Sequence, residues 1–344
     1  MNKIVFVFPM MIMTLSGCGS LTHHRSGPSY TSEEIYNFEH GIAPKVDEEN
    51  GTVTYGLYPQ TVVADQELIA QLNELGESSV NEYGWYSYND NYYVKRKGYK
   101  ENEYSYFPST WDIDLVDGNE YWFKCEPIEW FILSNDNGEM LLLSKYILDA
   151  KAYCSCYDTR VEQDLDRPGE AAQVTDIHPN NYKYSDVRKW LIKDFYNSAF
   201  INGDSYVQTV EVDNSVATTA FEENDYVCEN TNDKVFLLSA ADYLNENYGF
   251  SKYWNSNHYS NTSSTRDRRA EKTDYTTAFG SLITSNSCTR SPSAYSIRWV
   301  KYMDEHGFIV NGYADAAGAE VDRATLDPTK YAFGVRPAIK IKLQ

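Results

Sequence analysis

The sequence predicts an α+β fold in which short strands form mixed and antiparallel sheets, with few helices and long loops. At the end of the chain Ile339, Ile341 and Leu343 alternate with two lysines, the period of two that marks a strand with one buried face. Helical patterns come early and short strand patterns late, an order that favours α+β over a repeating βαβ array. Chain ends fray unless they are tied into a sheet, so we expect the terminal strand to close the domain.

The first half of the chain predicts a strand, a helix and two hairpins. Residues 52–60 predict a strand that runs into a turn, and residues 66–75 place leucine and isoleucine at helical spacing. In the aromatic-rich stretch that follows, alternating tyrosines flank residues 89–91 and predict a hairpin. Residues 121–133 and 140–145 predict the two strands of a second hairpin.

The second half predicts one long helix and several short strands. Ser185 is a suitable N-cap for a helix that continues to Phe200. Ser239 and Asp242 have the spacing of a capping box at the start of a short helix. Short strands are predicted at residues 207–212, 234–238, 295–303 and 307–310. The last two should form a meander with the terminal strand, and the charged run at 266–272 should be a solvated face.

Length and charge limit the classes of function. The chain has 344 residues, 42% of them hydrophobic, which is enough for a sizeable core. Its 50 acidic and 30 basic residues give a formal net charge of −20, which argues against a nucleic-acid partner because phosphate binding needs clustered lysine and arginine. The 30 tyrosines leave two explanations open: an extracellular recognition surface, or ordinary β-structure encoded by an AT-rich genome.

Residues 1–17 predict a secretory signal peptide. A lysine near the start precedes an apolar run at residues 4–15, which is too short for a stable membrane anchor. The run ends in Leu-Ser-Gly-Cys, which resembles the lipobox of bacterial lipoproteins, where the cysteine is lipidated and becomes the first mature residue. The resemblance implies lipidation of Cys18, a membrane partner through that lipid, and an outward-facing location in a bacterial cell envelope. Residues 18–50 are polar and predict a flexible tether.

The other cysteines predict little cross-linking. After Cys18, five cysteines are left, at positions 125, 154, 156, 228 and 288, an odd number that leaves at least one free thiol. Only one residue separates Cys154 from Cys156, so an extended chain does not bring them into an easy bridge. We therefore expect mostly reduced, buried cysteines. No Cys-x-x-Cys pair occurs, and a structural zinc site is not expected.

Several segments of the chain share one family resemblance. They are Gly-Leu-Tyr-Pro-Gln (56–60), Ile-Glu-Trp-Phe-Ile-Leu (128–133), Ser-Asp-Val-Arg-Lys-Trp-Leu (185–191), Phe-Leu-Leu-Ser (236–239), Thr-Asp-Tyr with a following Ala and Gly (273–280), Thr-Arg-Ser-Pro (289–292) and Gly-Val-Arg-Pro-Ala (334–338). In this order they resemble an uncharacterised bacterial extracellular family, domain of unknown function 6273, over about residues 52–344. That family usually has paired tryptophans before Arg-Ser-Pro, where this chain has Cys288-Thr289.

The Arg-Ser-Pro strand and the terminal Gly-x-Arg strand are also similar, more distantly, to the C-type-lectin-like scaffold of formylglycine-generating enzymes. This resemblance implies a single lectin-like domain at residues 51–344, with a tyrosine-rich insertion at about 77–120. In that scaffold the N- and C-terminal strands are adjacent, so the terminal strand should lie beside the strand that holds Tyr58. A fold-level resemblance says little about activity.

Two aromatic clusters are candidate ligand-binding sites. Aromatic faces stack on the C–H surfaces of sugars, and Asn, Asp and His hydrogen-bond the hydroxyls. The candidates are Trp85, Tyr86, Tyr88 and Asp90 in the first cluster and Trp254, Asn255, Asn257 and His258 in the second. The alternative is that these aromatics fill the core and gaps between loops. Trp254-Asn255 is similar to a calcium-ligand motif of lectins, but Ser256 replaces its carboxylate, so no calcium is expected.

Other residues are assigned structural roles. Arg290 and Arg336 should form internal ion pairs, because a guanidinium near the core needs a carboxylate partner. Asp274 is assigned to the same structural group. The histidines are isolated along the chain and lack the His-x-x-x-His spacing of a helical metal-binding pair, so we expect neither a metal nor another cofactor.

These observations favour a surface-anchored bacterial lipoprotein whose non-catalytic lectin-like domain binds a glycan or a protein. Two alternatives stay open: an envelope-side enzyme on the formylglycine-generating-enzyme scaffold, and a structural envelope component. The enzyme would need two neighbouring cysteines, and Cys228 and Cys288 could supply them only by folding together. The Gly-x-Ser-x-Gly elbow of many hydrolases does not occur in the sequence.

Overall fold

The computed structural model describes residues 43–98, 118–156, 158–167, 169–200, 204–220, 223–253, 265–278, 286–304, 306–313 and 332–343. Most of the regular structure in these ranges is β-sheet, and the helices are few and short. The α+β prediction is therefore confirmed at this level. None of the described helices is both long enough and apolar enough to span a bilayer.

The elements alternate between short strands and brief helical turns. In chain order the strands are β1 (Lys45–Asp47), β2 (Thr52–Val62), β3 (Tyr86–Tyr88), β4 (Asn91–Lys97), β5 (Glu120–Asp136), β6 (Glu139–Ser144), β7 (Asp149–Lys151), β8 (Arg160–Gln163), β9 (Gln173–Ile177), β10 (Val210–Val212), β11 (Thr231–Asp233), β12 (Val235–Phe236), β13 (Ser287–Pro292), β14 (Trp299–Met303), β15 (Ile309–Tyr313), β16 (Phe333–Val335) and β17 (Ala338–Lys342).

The helices are α1 (Gln66–Asn73), α2 and α3 (Asp274–Thr277). Helix α2 consists of the α-helical pieces Asp186–Trp190 and Tyr196–Ala199 on either side of a π-helical turn at Leu191–Phe195. Short 3₁₀ turns lie at Glu77–Ser79, Asp204–Tyr206, Val216–Thr219, Asp242–Leu244 and Glu246–Tyr248.

Local capping and turn signals place several elements where the sequence predicts them. The Ser185 hydroxyl accepts a hydrogen bond from the Arg188 N–H at 3.2 Å and begins α2. The predicted capping box is confirmed, because the Ser239 N–H donates to Asp242 Oδ2 at 2.8 Å and the Asp242 N–H donates to Ser239 Oγ at 3.0 Å. The β3–β4 hairpin turns at residues 89 and 90, which both have positive φ, as a tight hairpin turn requires.

A large sheet holds the strands in the order β1-β2-β5-β6-β17-β12, with the β3–β4 hairpin attached to β5. The terminal strand β17 pairs antiparallel with β6 and with β12. Ile339 and Ile341 are fully buried, while Lys340 and Lys342 both contact Glu139 on the opposite side of the strand. The prediction of a buried, sheet-forming chain end is confirmed.

The predicted adjacency of the N- and C-terminal strands is wrong. Strands β2 and β17 share the large sheet, but β5 and β6 lie between them. The reason is that β5 uses one edge for β2 and the other for β6, so that β6 offers the free edge to which the chain end adds. The terminal strand therefore does not lie beside Tyr58.

A second, five-stranded sheet has the order β15-β14-β13-β16-β7. Its β13–β16 pair is parallel and its other pairs are antiparallel. The β14–β15 pairing agrees with the predicted meander, but the terminal strand is not part of it. The chain passes from β16 in this sheet to β17 in the large sheet at Arg336-Pro337, and Pro337 has no N–H to donate to either ladder. Two-stranded pairs β8–β9 and β10–β11 complete the described sheets.

The main core lies between the two sheets and α2. It includes Trp130 and Ile339 from the large sheet, Leu191 and Phe195 from α2, and Val335 from the smaller sheet. A separate cluster lies under α1, where Leu72 packs with Tyr93 of β4 and Trp122 of β5. The large sheet is thus covered on both faces near the β3–β4 hairpin.

Two segments differ from the sequence prediction, one in its secondary structure and one in its burial. Residues 45–47, assigned to the tether, form β1 and pair with β2, because Val46 packs against the main core. The charged run at 266–272 is only partly a solvated face: Arg268 and Lys272 are buried. That run lies along the β6–β7 connection, where the backbone of Lys272 forms an isolated parallel β-bridge with that of Ile147.

The expectation about Cys154 and Cys156 is also wrong. The two residues form a disulfide with a Cα–Cα distance of 5.3 Å. The chain does not run straight here, since the N–H and hydroxyl of Ser155 both bond Asp186 Oδ2 at 2.6 Å and hold the segment in a turn. Cys125, Cys228 and Cys288 are not in disulfides, which agrees with the expectation of mostly reduced cysteines, and Cys125 and Cys288 are buried while Cys228 is half-buried.

Candidate functional site

A buried phenol–carboxylate pair with aromatic and cationic side chains around it forms the candidate site. The Tyr58 hydroxyl donates to Asp149 Oδ2 at 2.5 Å, and Asp149 is 1% exposed. The side chains of this Tyr58–Asp149 site are Tyr58 (β2), Arg96 (β4), Asp149 and Lys151 (β7), Trp190 (α2) and Tyr275 (α3). Both sheets and two helices therefore contribute to it.

Strand β2 has an irregular register with β5 just before Tyr58. Its register with β5 shifts between Thr54 and Leu57, which is the signature of a bulge. Gly56 lies in that shift with φ +77, and a Cβ there would lie 2.8 Å from the Phe200 ring. The bulge and the close approach of Phe200 fix the direction of the strand just before Tyr58, which packs at 5.0 Å on Phe195.

Several donors contact the carboxylate of Asp149. Besides the Tyr58 hydroxyl, the Ala150 N–H donates to Oδ1 at 2.7 Å, and Lys151 Nζ lies 3.4 Å from Oδ2. Burial, and next the negative charge of Asp149, raise the pKa of Tyr58 well above its ordinary value. Tyr58 therefore stays a neutral hydrogen-bond donor to the carboxylate.

Two cation–aromatic pairs surround the buried pair and reach the surface. Arg96 Cζ lies 4.8 Å from the centre of the Tyr275 ring, and Lys151 Nζ lies 4.8 Å from the centre of the Trp190 ring. All four residues are half-buried, and the Lys151 side chain is 28% exposed. Burial and the nearby Asp149 raise the pKa of Tyr275, while Arg96 opposes that rise. A ligand at this surface would meet aromatic rings and cations together.

Helix α3 is fastened directly to β2. Thr273 caps the helix by accepting from the Thr276 N–H, and Asp274 Oδ2 accepts from the Val62 N–H at 2.9 Å. This contact explains the structural assignment of Asp274. It also brings Tyr275 to 6.0 Å from Tyr58, centre to centre, so the segments 56–60 and 273–275, distant in sequence, meet at the site.

Trp85 does not offer a surface to a ligand. It is 3% exposed, and its ring packs edge-on against Tyr58 and Tyr83 and at 6.0 Å from Tyr92. The sequence leaves both ligand binding and core filling open for Trp85, and the structure places its side chain in the main core. Trp85 is a core residue that supports Tyr58.

Tyr86 and Tyr88 lie on the opposite face of the hairpin and pack under α1. The Tyr86 ring meets Trp122 at 4.8 Å, and the Tyr88 hydroxyl donates to Gln71 Oε1 at 2.9 Å. Asp90 is exposed at the tip of the hairpin. The structure therefore does not bring the four residues of the first cluster together on one surface.

Several predicted residues lie outside the described ranges. These are the second aromatic cluster, Trp254, Asn255, Asn257 and His258, and the lipidation residue Cys18. The part of the insertion between residues 99 and 117 is outside them as well. Glycan binding by the second cluster and lipidation stay predictions.

Arg290 is buried and forms an internal ion pair. Its Nη1 donates to Asp242 Oδ2 at 2.9 Å and to the Leu237 carbonyl at 2.7 Å. Arg336 is buried, donating to the carbonyls of Ser144 and Arg268, each at 2.8 Å. An ion pair at Arg336 stays a prediction.

Sequence reasoning missed Arg96, Asp149, Lys151 and Trp190 as members of one site. Asp149 and Lys151 belong to a three-residue strand without an apolar period, so nothing in the local pattern marked them. The available signal was Lys95-Arg96-Lys97, a basic triplet in a chain of net charge −20. Within the described ranges, no group of three or more His, Cys, Asp or Glu residues is placed to hold a metal ion.

Comparison with known proteins gives one result. A family model described as a domain of unknown function (DUF6273) matches residues 137–343. The match covers more than half of the chain and includes Asp149, Lys151, Trp190 and Tyr275, whereas Tyr58 and Arg96 precede it. No curated protein and no solved structure matches the chain.

Proposed function

This chain belongs to the DUF6273 family, and on that premise we propose that it is a non-catalytic glycan-binding module of a bacterial cell envelope. The proposal includes a lipid anchor at Cys18, an outward-facing location and a C-type-lectin-like fold. The family description names no function, so the proposal depends on the Tyr58–Asp149 site. A surface protein is the other class of partner that the sequence leaves open.

The observation that carries the proposal is the grouping of two cation–aromatic pairs over one buried carboxylate. Half-buried aromatic rings bind the C–H faces of sugars, and neighbouring N–H donors bind their hydroxyl or acid groups. Trp190 and Tyr275 supply the rings, and Lys151 and Arg96 supply the donors. The two cations, in a chain of net charge −20, favour a glycan that bears carboxylates.

Two further features support the proposal. The Cys154–Cys156 disulfide is typical of proteins that leave the reducing cytosol. The low content of helix agrees with a lectin-like fold, although β5 and β6 separate β2 from the terminal strand β17. The lipid at Cys18 would keep the module at the membrane while the Tyr58–Asp149 site faces outward.

A glycan array with the purified full chain in detergent tests the proposed activity. The array carries neutral glycans and glycans with uronic acids, and we expect binding to the acidic set. Trp190→Ala should weaken that binding about tenfold, which corresponds to about 1.4 kcal/mol. The matched control is Tyr295→Ala, because Tyr295 is 67% exposed and is not one of the side chains of the Tyr58–Asp149 site.

Two results would contradict the proposal. The first is an array without signal for a protein whose circular dichroism shows that it is folded, which would favour a protein partner. The second is a Trp190→Ala variant that binds as well as the Tyr295→Ala control, which would show that the glycan binds elsewhere.

A further inference from the structure

The Cys154–Cys156 disulfide has features of a chemically active cross-link. Cys154 is buried, whereas Cys156 is half-buried and its sulfur contacts a charged side chain: Arg160 Nη1 lies 3.0 Å from Cys156 Sγ. The disulfide joins residues only two positions apart. A cross-link stabilises a fold mainly by restricting the unfolded chain, and a loop this short restricts it little. Stability alone therefore does not explain the bond.

Each sulfur has a donor that would stabilise it as a thiolate. The guanidinium of Arg160 faces Cys156 Sγ, and the Cys156 N–H donates to Cys154 Sγ at 3.2 Å. Glu162 holds Arg160 Nε at 2.7 Å, and Arg160 Nη1 and Nη2 also donate to the His178 and Tyr184 carbonyls. A nearby cation lowers the pKa of a cysteine thiol and makes the thiolate a better leaving group.

We propose that Cys154–Cys156 is a reversible redox site that an external dithiol reduces and that an external disulfide re-forms by the reverse exchange, in which the external disulfide is reduced to its dithiol. A thiolate of the dithiol attacks the more accessible sulfur, Cys156 Sγ; a mixed disulfide forms and Cys154 leaves as a thiolate. The second thiolate of the dithiol then attacks its own sulfur in that mixed disulfide, and Cys156 leaves as a thiolate beside Arg160. The protein gains two electrons, the reductant becomes a disulfide, and the protons lost by the dithiol are available to the two new thiolates.

The redox site is connected to the start of helix α2. Ser155, between the two cysteines, donates through its N–H and its hydroxyl to Asp186 Oδ2, each at 2.6 Å. The Asp186 N–H donates to the Tyr153 carbonyl at 2.9 Å. Reduction removes the bond that holds this turn closed, so the first turn of α2 loses part of its support. The charged groups around the turn are Arg160, Glu162, Asp186 and Lys189.

The test measures native-state reduction of the full chain in detergent. The protein is treated with dithiothreitol, quenched with N-ethylmaleimide at intervals, and the peptide that contains both cysteines is quantified by mass spectrometry. We expect complete reduction without unfolding, and reduction about fivefold slower in Arg160→Gln. Arg160→Lys should restore part of the rate. The matched control is Arg167→Gln, since the Arg167 side chain is 55% exposed and contacts Asp164 rather than a sulfur.

A second measurement needs only the wild-type chain. In the reduced protein, the pH dependence of alkylation at Cys156 should have a midpoint below about 8.5, the ordinary value for cysteine. A disulfide that dithiothreitol reduces only after denaturation would overturn the proposal. A Cys156 midpoint at or above the ordinary value would do the same, as would Arg160→Gln reduction at the wild-type rate.

Discussion

Arg188 and Asp233 form a buried, bidentate ion pair that joins helix α2 to β11. Arg188 Nε lies 3.0 and 3.1 Å from the two Asp233 oxygens, and Nη2 lies 2.6 Å from Oδ1. Burial alone would lower the pKa of Arg188, but the hydrogen bonds and charge of Asp233 outweigh it and raise that pKa. Together with Arg290–Asp242, this pair shows that charges inside the protein connect elements that are distant in the sequence.

Lys301 is a buried cation whose environment disfavours its charge. The residue is 4% exposed, and burial lowers the pKa of Lys301 from 10.5 to about 8. Between about pH 8 and pH 10.5 the unfolded chain therefore binds more protons than the folded one, and the free energy of unfolding should rise with pH. The Lys301→Met variant loses this contribution. We expect the difference between wild type and variant to change by about 2 to 3 kcal/mol across that window.

Urea unfolding at several pH values checks this prediction. Burial raises the pKa of Cys288 to about 12 and acts in the opposite direction above pH 9. Because both proteins contain Cys288, its effect cancels in the comparison. If the unfolding free energies of wild type and Lys301→Met differ by the same amount at every pH, the charge of Lys301 does not destabilise the fold.

At the scale of elements, the sequence predicts local pairings well and distant pairings poorly. The β3–β4 and β5–β6 hairpins and the start of α2 depend on turn and capping residues that are neighbours in the sequence. The partner of β17 could not be predicted, since alternation shows which face is buried but not which strand edge is free. For the same reason the Tyr58–Asp149 site could not be predicted, since its residues come from five separate elements whose pairing the sequence pattern does not specify.

The bulge before Tyr58 gives a prediction about Gly56. An alanine Cβ there would lie 2.8 Å from the Phe200 ring and 2.9 Å from the Ala199 carbonyl oxygen, at φ +77. Gly56→Ala should therefore combine backbone strain with a clash and lower the free energy of unfolding by about 3 kcal/mol. Gly51 is the matched control, because it has φ +63 and nothing within 4 Å of an added Cβ. Gly51→Ala should cost about 1 kcal/mol. If urea unfolding shows that Gly56→Ala and Gly51→Ala lose the same unfolding free energy, the contact of Gly56 with the end of α2 is not tight.

At the scale of the whole molecule, two sheets share one core and the chain crosses between them just before its end. Arg336 lies at that crossing, with hydrogen bonds to carbonyls on the β6–β7 side and in the 266–272 run. The fold class followed from the strand patterns, whereas the division into two sheets did not, because β16 and β17 are separated by only two residues. In the proposed anchored location, the net charge of −20 would keep the chain from binding anionic lipid along its length.

The lipid anchor is the prediction that decides where this module works. In a bacterial host that processes lipoproteins, radiolabelled palmitate should enter the wild-type chain, and Cys18→Ala should lose the label and leave the membrane fraction. One acyl chain gives only marginal membrane binding, so the anchor requires the several chains that lipoprotein processing supplies. The matched control is Cys228→Ala, which removes a free thiol of the folded part and should keep the label. If Cys18→Ala is labelled as strongly as this control, the leader is not a lipoprotein signal, and the module reaches its partner by another route.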